Sequence, residues 1–255
     1  MDMKIAGSGV LGAGEYDKVT ISGSAKAEGL IRCKQFQSAG AFSGSAEIEC
    51  EEDIRVSGAF SCDGKITAKE FRSSGSTKTG GLCAETIKVA GALKTTGDLV
   101  SSGYAEVSGG FKCEGNIKAS ELNVAGGLKV TGDLEAENAY ISGGISCGGL
   151  INAENLRIDL DSSTGSKAES VGGSKIVIEN KREKGLIAKL FGKSKCDFTV
   201  AESIEGDEII IEHTKAKTVT GRYVMIGEDC EIGLVQYTES AEVSSKSKVG
   251  KCEKI

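Results

Sequence analysis

Proline and tryptophan are absent from this 255-residue chain, and histidine occurs once. At an average usage of about 5%, roughly 12 prolines would be expected. Proline lacks a backbone N–H, so stacked strands exclude it, whereas helix starts and ordinary turns recruit it. The single histidine rules out a three-histidine zinc site. No run of about 18 apolar residues occurs, which excludes a membrane-spanning helix. The opening MDMKIAGSG lacks the basic-then-apolar layout of a secretory signal, so a cytoplasmic protein is expected. Nine cysteines, an odd number with no C-x-x-C pair, favour neither a disulfide framework nor a zinc site. The net charge of −6 comes from interspersed Lys and Glu, which argues against nucleic acid as a partner. There is no G-x-x-x-x-G-K-[ST] loop and no dinucleotide fingerprint, so no nucleotide or other cofactor is expected.

What the chain does have is 36 glycines, and they recur. Residues 17–153 cut into eight consecutive units of 16 to 18 residues, from DKVTISGSAKAEGLIRC to ENAYISGGISCGGLINA. Each unit carries a glycine at the same place: Gly23, Gly40, Gly58, Gly75, Gly91, Gly109, Gly126 and Gly143. Apolar residues fall four and two before it (Val19 and Ile21, Ile54 and Val56), and two and four after it (Phe60 and Cys62, Leu128 and Val130). A third pair follows at plus eight and plus ten (Ile31 and Cys33, Ile48 and Cys50, Leu134 and Ala136). Spacing of two within each pair is the period of a strand with one buried face, and no sustained helical period competes with it. A second glycine six residues after the first, as at Gly29, Gly64, Gly97, Gly115, Gly132 and Gly149, supplies another corner.

A unit this short cannot bury its apolar face alone, so successive units must stack and pair in parallel at about 4.8 Å spacing. The expected fold is all-β, a parallel β-helix or β-solenoid with three short strands per coil. Coil length wanders where left-handed β-helices keep a strict hexapeptide period, so a right-handed winding is expected. Residues 1–160 form the regular β-helix in this reading, with KIAGSG at 4–9 matching TISGSA at 20–25 as a shortened first coil. Residues 161–179 read as a weakened coil with a Gly/Ser-rich loop, and 180–195 as a basic amphipathic insertion. Residues 196–240 read as continuing coils, with Ile204, Ile209, Ile211, Val219, Val224, Ile226, Ile232 and Val235 inward, or as a separate small β domain. Residues 241–255 are expected to be a frayed, polar, lysine-rich tail.

An enzyme on such a scaffold needs acidic clusters in a groove walled by long loops, and these coils are too short and regular to carry them. Asp98 and Asp133 follow corner glycines in the same register, which marks turn residues rather than catalytic carboxylates. His213 reads as an exposed polar corner residue. Cys33 and Cys50 share one inward register, and Cys62, Cys113 and Cys147 another, so thiols are expected to fill the core as small hydrophobes. No catalytic, cofactor or metal residues are assigned.

The repeated I/V-x-G-x-φ-x-x-x-G-x-I/L-x-A unit, as in LNVAGGLKVTGDLEA, resembles the bactofilins, the bacterial polymer-forming cytoskeletal proteins. The stretch LFGKSKCDFTV followed by IEGDEIIIEHTKAKTVTGRYVMIGEDCEIGLVQY is similar to the longer bactofilin-like proteins of Gram-positive bacteria. The chain departs from the usual layout in having more coils and a basic interruption inside the solenoid. The resemblance implies a non-enzymatic scaffold for cell-envelope, cell-shape or motility machinery. It would assemble with itself end to end, without nucleotide, and a related bactofilin chain is a further candidate partner. A non-polymerising solenoid that docks a protein on a flat face is the alternative.

By position, the polymerising ends would be built around Ile5, Val10 and Leu11 and around Ile232, Val235 and Tyr237. The insertion offers Lys184, Leu186, Ile187, Lys189, Leu190 and Phe191 either for peripheral contact with an anionic membrane or for packing back on the solenoid flank. Membrane contact predicts that the protein co-sediments with anionic liposomes and that a Leu190→Glu, Phe191→Glu variant stays in the supernatant. Equal behaviour of the two selects the folded-back reading.

Overall fold

The computed structural model describes residues 1–160, 165–180 and 198–255, among which every regular element is a β-strand. In chain order these are β1 (Met3–Ile5), β2 (Ser8–Ile21), β3 (Ser24–Ser38), β4 (Ala41–Gly44), β5 (Ile48–Val56), β6 (Ala59–Ser73), β7 (Ser76–Thr95), β8 (Leu99–Cys113) and β9 (Ile117–Val130). There follow β10 (Leu134–Cys147), β11 (Leu150–Leu160), β12 (Ser166–Ala168), β13 (Ser170–Glu179), β14 (Phe198–Val200), β15 (Ser203–Ile211), β16 (Thr214–Ile226), β17 (Glu231–Val243) and β18 (Lys248–Lys254). The fold is a parallel β-solenoid. It divides into two compact units, Met1–Asn123 and Val124–Ile255.

In the first unit the ladder steps by about one sequence repeat per coil. Val19 pairs with Phe36, Phe36 with Ile54, Ile54 with Phe71, Phe71 with Ile87 and Ile87 with Ala105. All six are buried, as is the parallel column Ile31, Ile48, Ile66, Leu82 and Leu99. Register keeps like over like, so a single set of inward positions accounts for the core. Phe36, Phe42, Phe60 and Phe71 interlock there with ring centroids 4.8 to 6.3 Å apart, three of the pairs edge to face. Burying each such side chain contributes about 1.5–3 kcal/mol.

The strands break at the corners of Gly23, Gly40, Gly58 and Gly75, whereas β7 runs for 20 residues through later ones. Their geometry explains the recurrent glycine. The carbonyl oxygens of Gly23, Gly40, Gly58, Gly75 and Gly91 occupy the space where a Cβ would sit on Gly40, Gly58, Gly75, Gly91 and Gly109 of the next coil. Gly91 and Gly109 also have φ of +137° and +134°, a conformation that L side chains rarely adopt.

The second unit repeats the design. Ala139, Leu156, Ile176, Ile209 and Val224 form one buried column, and Ile141, Ile158, Ile178, Ile211 and Ile226 another. Because β13 pairs directly with β15, the parallel ladder passes from the residues before 180 to those after 198. The eight inward candidates from Ile204 to Val235 are all buried.

One expectation is corrected. Residues 248–254 are not a frayed tail: they form β18, paired in parallel with Glu231–Tyr237 of β17. Val249 takes the register of Ile232 and Cys252 that of Val235, in a segment whose lysines and serines read as a tail.

Gly143 has φ +134°, and a Cβ on it would overlap the Gly126 carbonyl, whereas a Cβ on Gly127 meets nothing within 4 Å. Gly143→Ala is therefore expected to destabilise the protein by about 3 kcal/mol. Gly127→Ala should stay within about 0.5 kcal/mol of wild type. Urea unfolding midpoints of the two variants check the contrast.

Candidate functional site in the terminal coils

In the first coil, β1 pairs with Val19–Ile21, Ser8–Gly12 with Ser24–Glu28, and Gly14–Tyr16 with Ile31–Cys33. Gly14 thus stands in the column filled by Ile31, Ile48 and Ile66, and Tyr16 in the column filled by Cys33 and Cys50. The tyrosine ring lies over the vacated position: its hydroxyl and ring carbons come within 3.5–3.6 Å of where a Gly14 Cβ would be. The hydroxyl donates to the Gly12 carbonyl at 2.9 Å. Beside it, Asp17 accepts from Lys34 and from the terminal amine, and the Asp17 N–H donates to the Met1 carbonyl. The Lys34 ammonium and the terminal amine hold the Asp17 carboxyl down to about 2.

The last coil is finished differently. Ser240–Val243 pairs with Tyr223–Ile226, and Lys248–Lys254 with Glu231–Tyr237. Its inward register is occupied by Ala241, Val243, Val249 and Cys252, opposite Val224, Ile226, Ile232 and Val235. The partners are buried, yet Val243 is 42% exposed and Cys252 is exposed. Small apolar side chains therefore stand over the core with their outer side uncovered.

Ile5, Val10 and Leu11 do lie in the first described coil, whereas the set Ile232, Val235 and Tyr237 is corrected. Ile5 and Leu11 are buried there, Leu11 fully, while Val10 points outward and is 58% exposed. Ile232 and Val235 are buried beneath β18, and Tyr237 is half-buried opposite Lys254. The set at the end of the chain is thus one coil too early, because β18 follows it. An arginine at Leu11 or Val235 would bury an unpaired charge and unfold the coil rather than free an end. Lys184, Leu186, Ile187, Lys189, Leu190 and Phe191 lie outside the described residues, as does Cys196.

The other polar residues have structural work to do. Asp98 Oδ1 accepts the Asn116 N–H and Asp133 Oδ1 accepts the Leu150 N–H, both at 2.8 Å, so each carboxylate ties one corner to the next coil. His213 sits at a corner with φ +52°, but it is buried rather than exposed, its Nδ1 3.7 Å from Asp229. Its main chain explains this: the His213 N–H donates to Glu228 and its carbonyl accepts from Phe198, which draws the residue into the ladder. Among the described residues, no three His, Cys, Asp or Glu side chains are grouped to hold a metal ion.

Cys33, Cys50, Cys62, Cys113, Cys147 and Cys230 are buried free thiols. Several also act as donors toward corner carbonyls of the preceding coil: Cys50 to Lys34 and Cys62 to Ala46 at 3.1 Å, and Cys147 to Gly132 at 3.3 Å. Alanine or valine cannot do this, so the thiols satisfy carbonyls as well as fill space. Sequence reasoning saw their inward register and missed the donor role. It also missed Tyr16, whose signal was present: one aromatic in a column of small residues, two places after a glycine in a column of isoleucines.

No family model matches the chain, and no solved structure matches it. It is similar to the uncharacterized protein YhbF of Bacillus subtilis, with 30% identity over 90 residues, 35% of each chain. It is similar also to the uncharacterized protein YhbE of the same organism, with 47% identity over 55 residues, 19% of this chain and 23% of that protein. The matched stretches therefore span about a third or less of these relatives' own lengths.

Burial pushes the Cys62 thiol up to about 11 and raises Cys113, Cys147 and Cys230 as well, while the neighbouring Cys50 sulfur and burial raise Cys33. A raised thiol stays protonated as pH climbs past the usual value of about 8.5, so its reactive thiolate is scarce in the native protein. Alkylation at pH 8 followed by peptide mapping should label Cys83 and Cys252 first among the described cysteines, and Cys33, Cys62, Cys113, Cys147 and Cys230 only after denaturation.

Proposed function

We propose that this chain is a non-enzymatic structural protein that self-assembles through its terminal coils, as the bactofilins it resembles do, and scaffolds cell-envelope, cell-shape or motility machinery. The observation that carries this reading is the uncovered inward row of the last coil, with Val243 and Cys252 exposed over a buried core. A coil edge of this kind offers backbone N–H and C=O groups around apolar side chains, which is the template a strand of another molecule pairs with. Such pairing draws on hydrogen bonds and apolar burial alone, so assembly proceeds without nucleotide. The reading carries a right-handed winding with three straight runs per coil, supported by the variable coil length and the three apolar pairs in each repeat. It places the protein in the cytoplasm, with peripheral attachment at the inner face of the membrane, and allows co-assembly with a second, related chain.

A docking module that does not polymerise is the second reading. It is favoured by the outward row Ser24, Ala41, Ala59 and Ser76, a register of small residues in the first unit that leaves one face flat. Sedimentation and negative-stain microscopy of the purified chain separate the two readings. The scaffold gives concentration-dependent, pelletable assemblies at low and high salt that added nucleotide leaves unchanged. A species that stays monomeric at every concentration selects the docking module.

A further inference from the structure

Cys33 and Cys50 pair in direct register on neighbouring coils, and both side chains are buried in the inward row. Adjacent strands lie about 4.8 Å apart, inside the roughly 4.4–6.8 Å between Cα atoms that a disulfide spans. The two sulfurs are close enough to share a hydrogen bond. Cys62 pairs instead with Gly44 and Thr79, and Cys113 with Thr95. The pair is also less enclosed than these two, at 4% and 6% exposure against 0% for both Cys62 and Cys113. The corner after Cys50 takes one residue more than the matching corner on either neighbouring coil, so the ladder slips register there in both directions.

We propose that Cys33 and Cys50 are a redox modification site: a hydroperoxide closes them into a disulfide that clamps two successive coils beside the slip in their ladder, and thiol reductants reopen it. Cys50 is the attacking sulfur. The hydrogen bond with Cys33 holds the Cys50 thiol below its ordinary value, while the same contact and burial raise Cys33. The Cys50 thiolate breaks the peroxide O–O bond, becomes a sulfenic acid and releases hydroxide. The Cys33 sulfur then displaces the sulfenic hydroxyl as its S–S bond forms, and the protons lost from the two thiols leave in two waters. Two electrons pass from the sulfurs to the peroxide. The bond closes a loop one coil long, which restrains the unfolded chain and favours the folded one. In a thiol-rich compartment such a link is transient.

The native chain is exposed to hydrogen peroxide, then denatured, alkylated and mapped without reduction. Cys33 and Cys50 should leave the alkylated pool together as one cross-linked peptide pair and return on reduction, while Cys62 and Cys113 stay reduced. Alanine fills the same row at Ala68 and Ala84, so alanine variants should keep the fold. Cys33→Ala should leave Cys50 as a sulfenic acid that dimedone traps, whereas Cys50→Ala should leave Cys33 reduced. Oxidation should raise the urea midpoint of wild type and leave that of Cys50→Ala unmoved. Cys33 and Cys50 recovered unlinked, or linked to Cys83 or Cys252 of another molecule, overturn the proposal. Loss of the two thiols at the rate of Cys62 and Cys113 overturns it as well, since their register then confers no reactivity.

Discussion

Everything in this molecule depends on one constraint: each coil must lie directly on the one before it, in register, close enough for backbone hydrogen bonds around most of its path. The glycine columns follow from it, because at the corner the carbonyl of one coil enters the space that a side chain would need on the next. The absence of proline follows too, since a residue without an N–H would leave a carbonyl of the neighbouring coil unpaired. Even the corner carboxylates obey it. Asp98 and Asp133 lie against Gly115 and Gly149, where they hold backbone N–H groups of the following coil.

Register has a second consequence, which is economy of specification. Once Val19 lies under Phe36, and Phe36 under Ile54, the position stays apolar from coil to coil while its size ranges from phenylalanine to Ala105. Large and small residues must then compensate within a coil. The Phe36, Phe42, Phe60 and Phe71 group shows this, its rings meeting mostly edge to face across different columns. The buried cysteines belong to the same logic: a corner that turns a carbonyl inward needs a donor of small volume, and the thiol is both.

How far this was legible in the sequence depended on whether a feature repeats. The inward columns from Val19 to Val235 were readable because each coil restates the same alternation, and a misreading at one position is corrected by its neighbours. Features that occur once were not. Val249 and Cys252 sit three residues apart in a lysine-rich segment that looks like a tail, and only pairing with Ile232 and Val235 makes them inward. His213 reads as an exposed polar residue, and its burial comes from main-chain bonds to Glu228 and Phe198 that composition does not encode. Tyr16 is one aromatic in a column that otherwise holds Cys33 and Cys50, and no other coil restates it.

The first described coil shows how one side chain can close the centre of a coil. A parallel ladder has no internal stop, because every coil presents the same donors and acceptors to the next molecule that its predecessor presented to it. Termination has to be imposed by side chains, and the cost of termination falls on one or two residues rather than on the fold. In the first described coil Gly14 puts no side chain into the column, and the Tyr16 ring lies in its place with its hydroxyl tied to the Gly12 carbonyl. Neither change disturbs the pairing of that coil with the one above it, since Gly14 and Tyr16 keep their register with Ile31 and Cys33. The backbone edge is thus conserved in geometry while its apolar centre is closed. Closure at the centre of the first coil and pairing along its edge are carried by different groups, the Tyr16 side chain and the main chain.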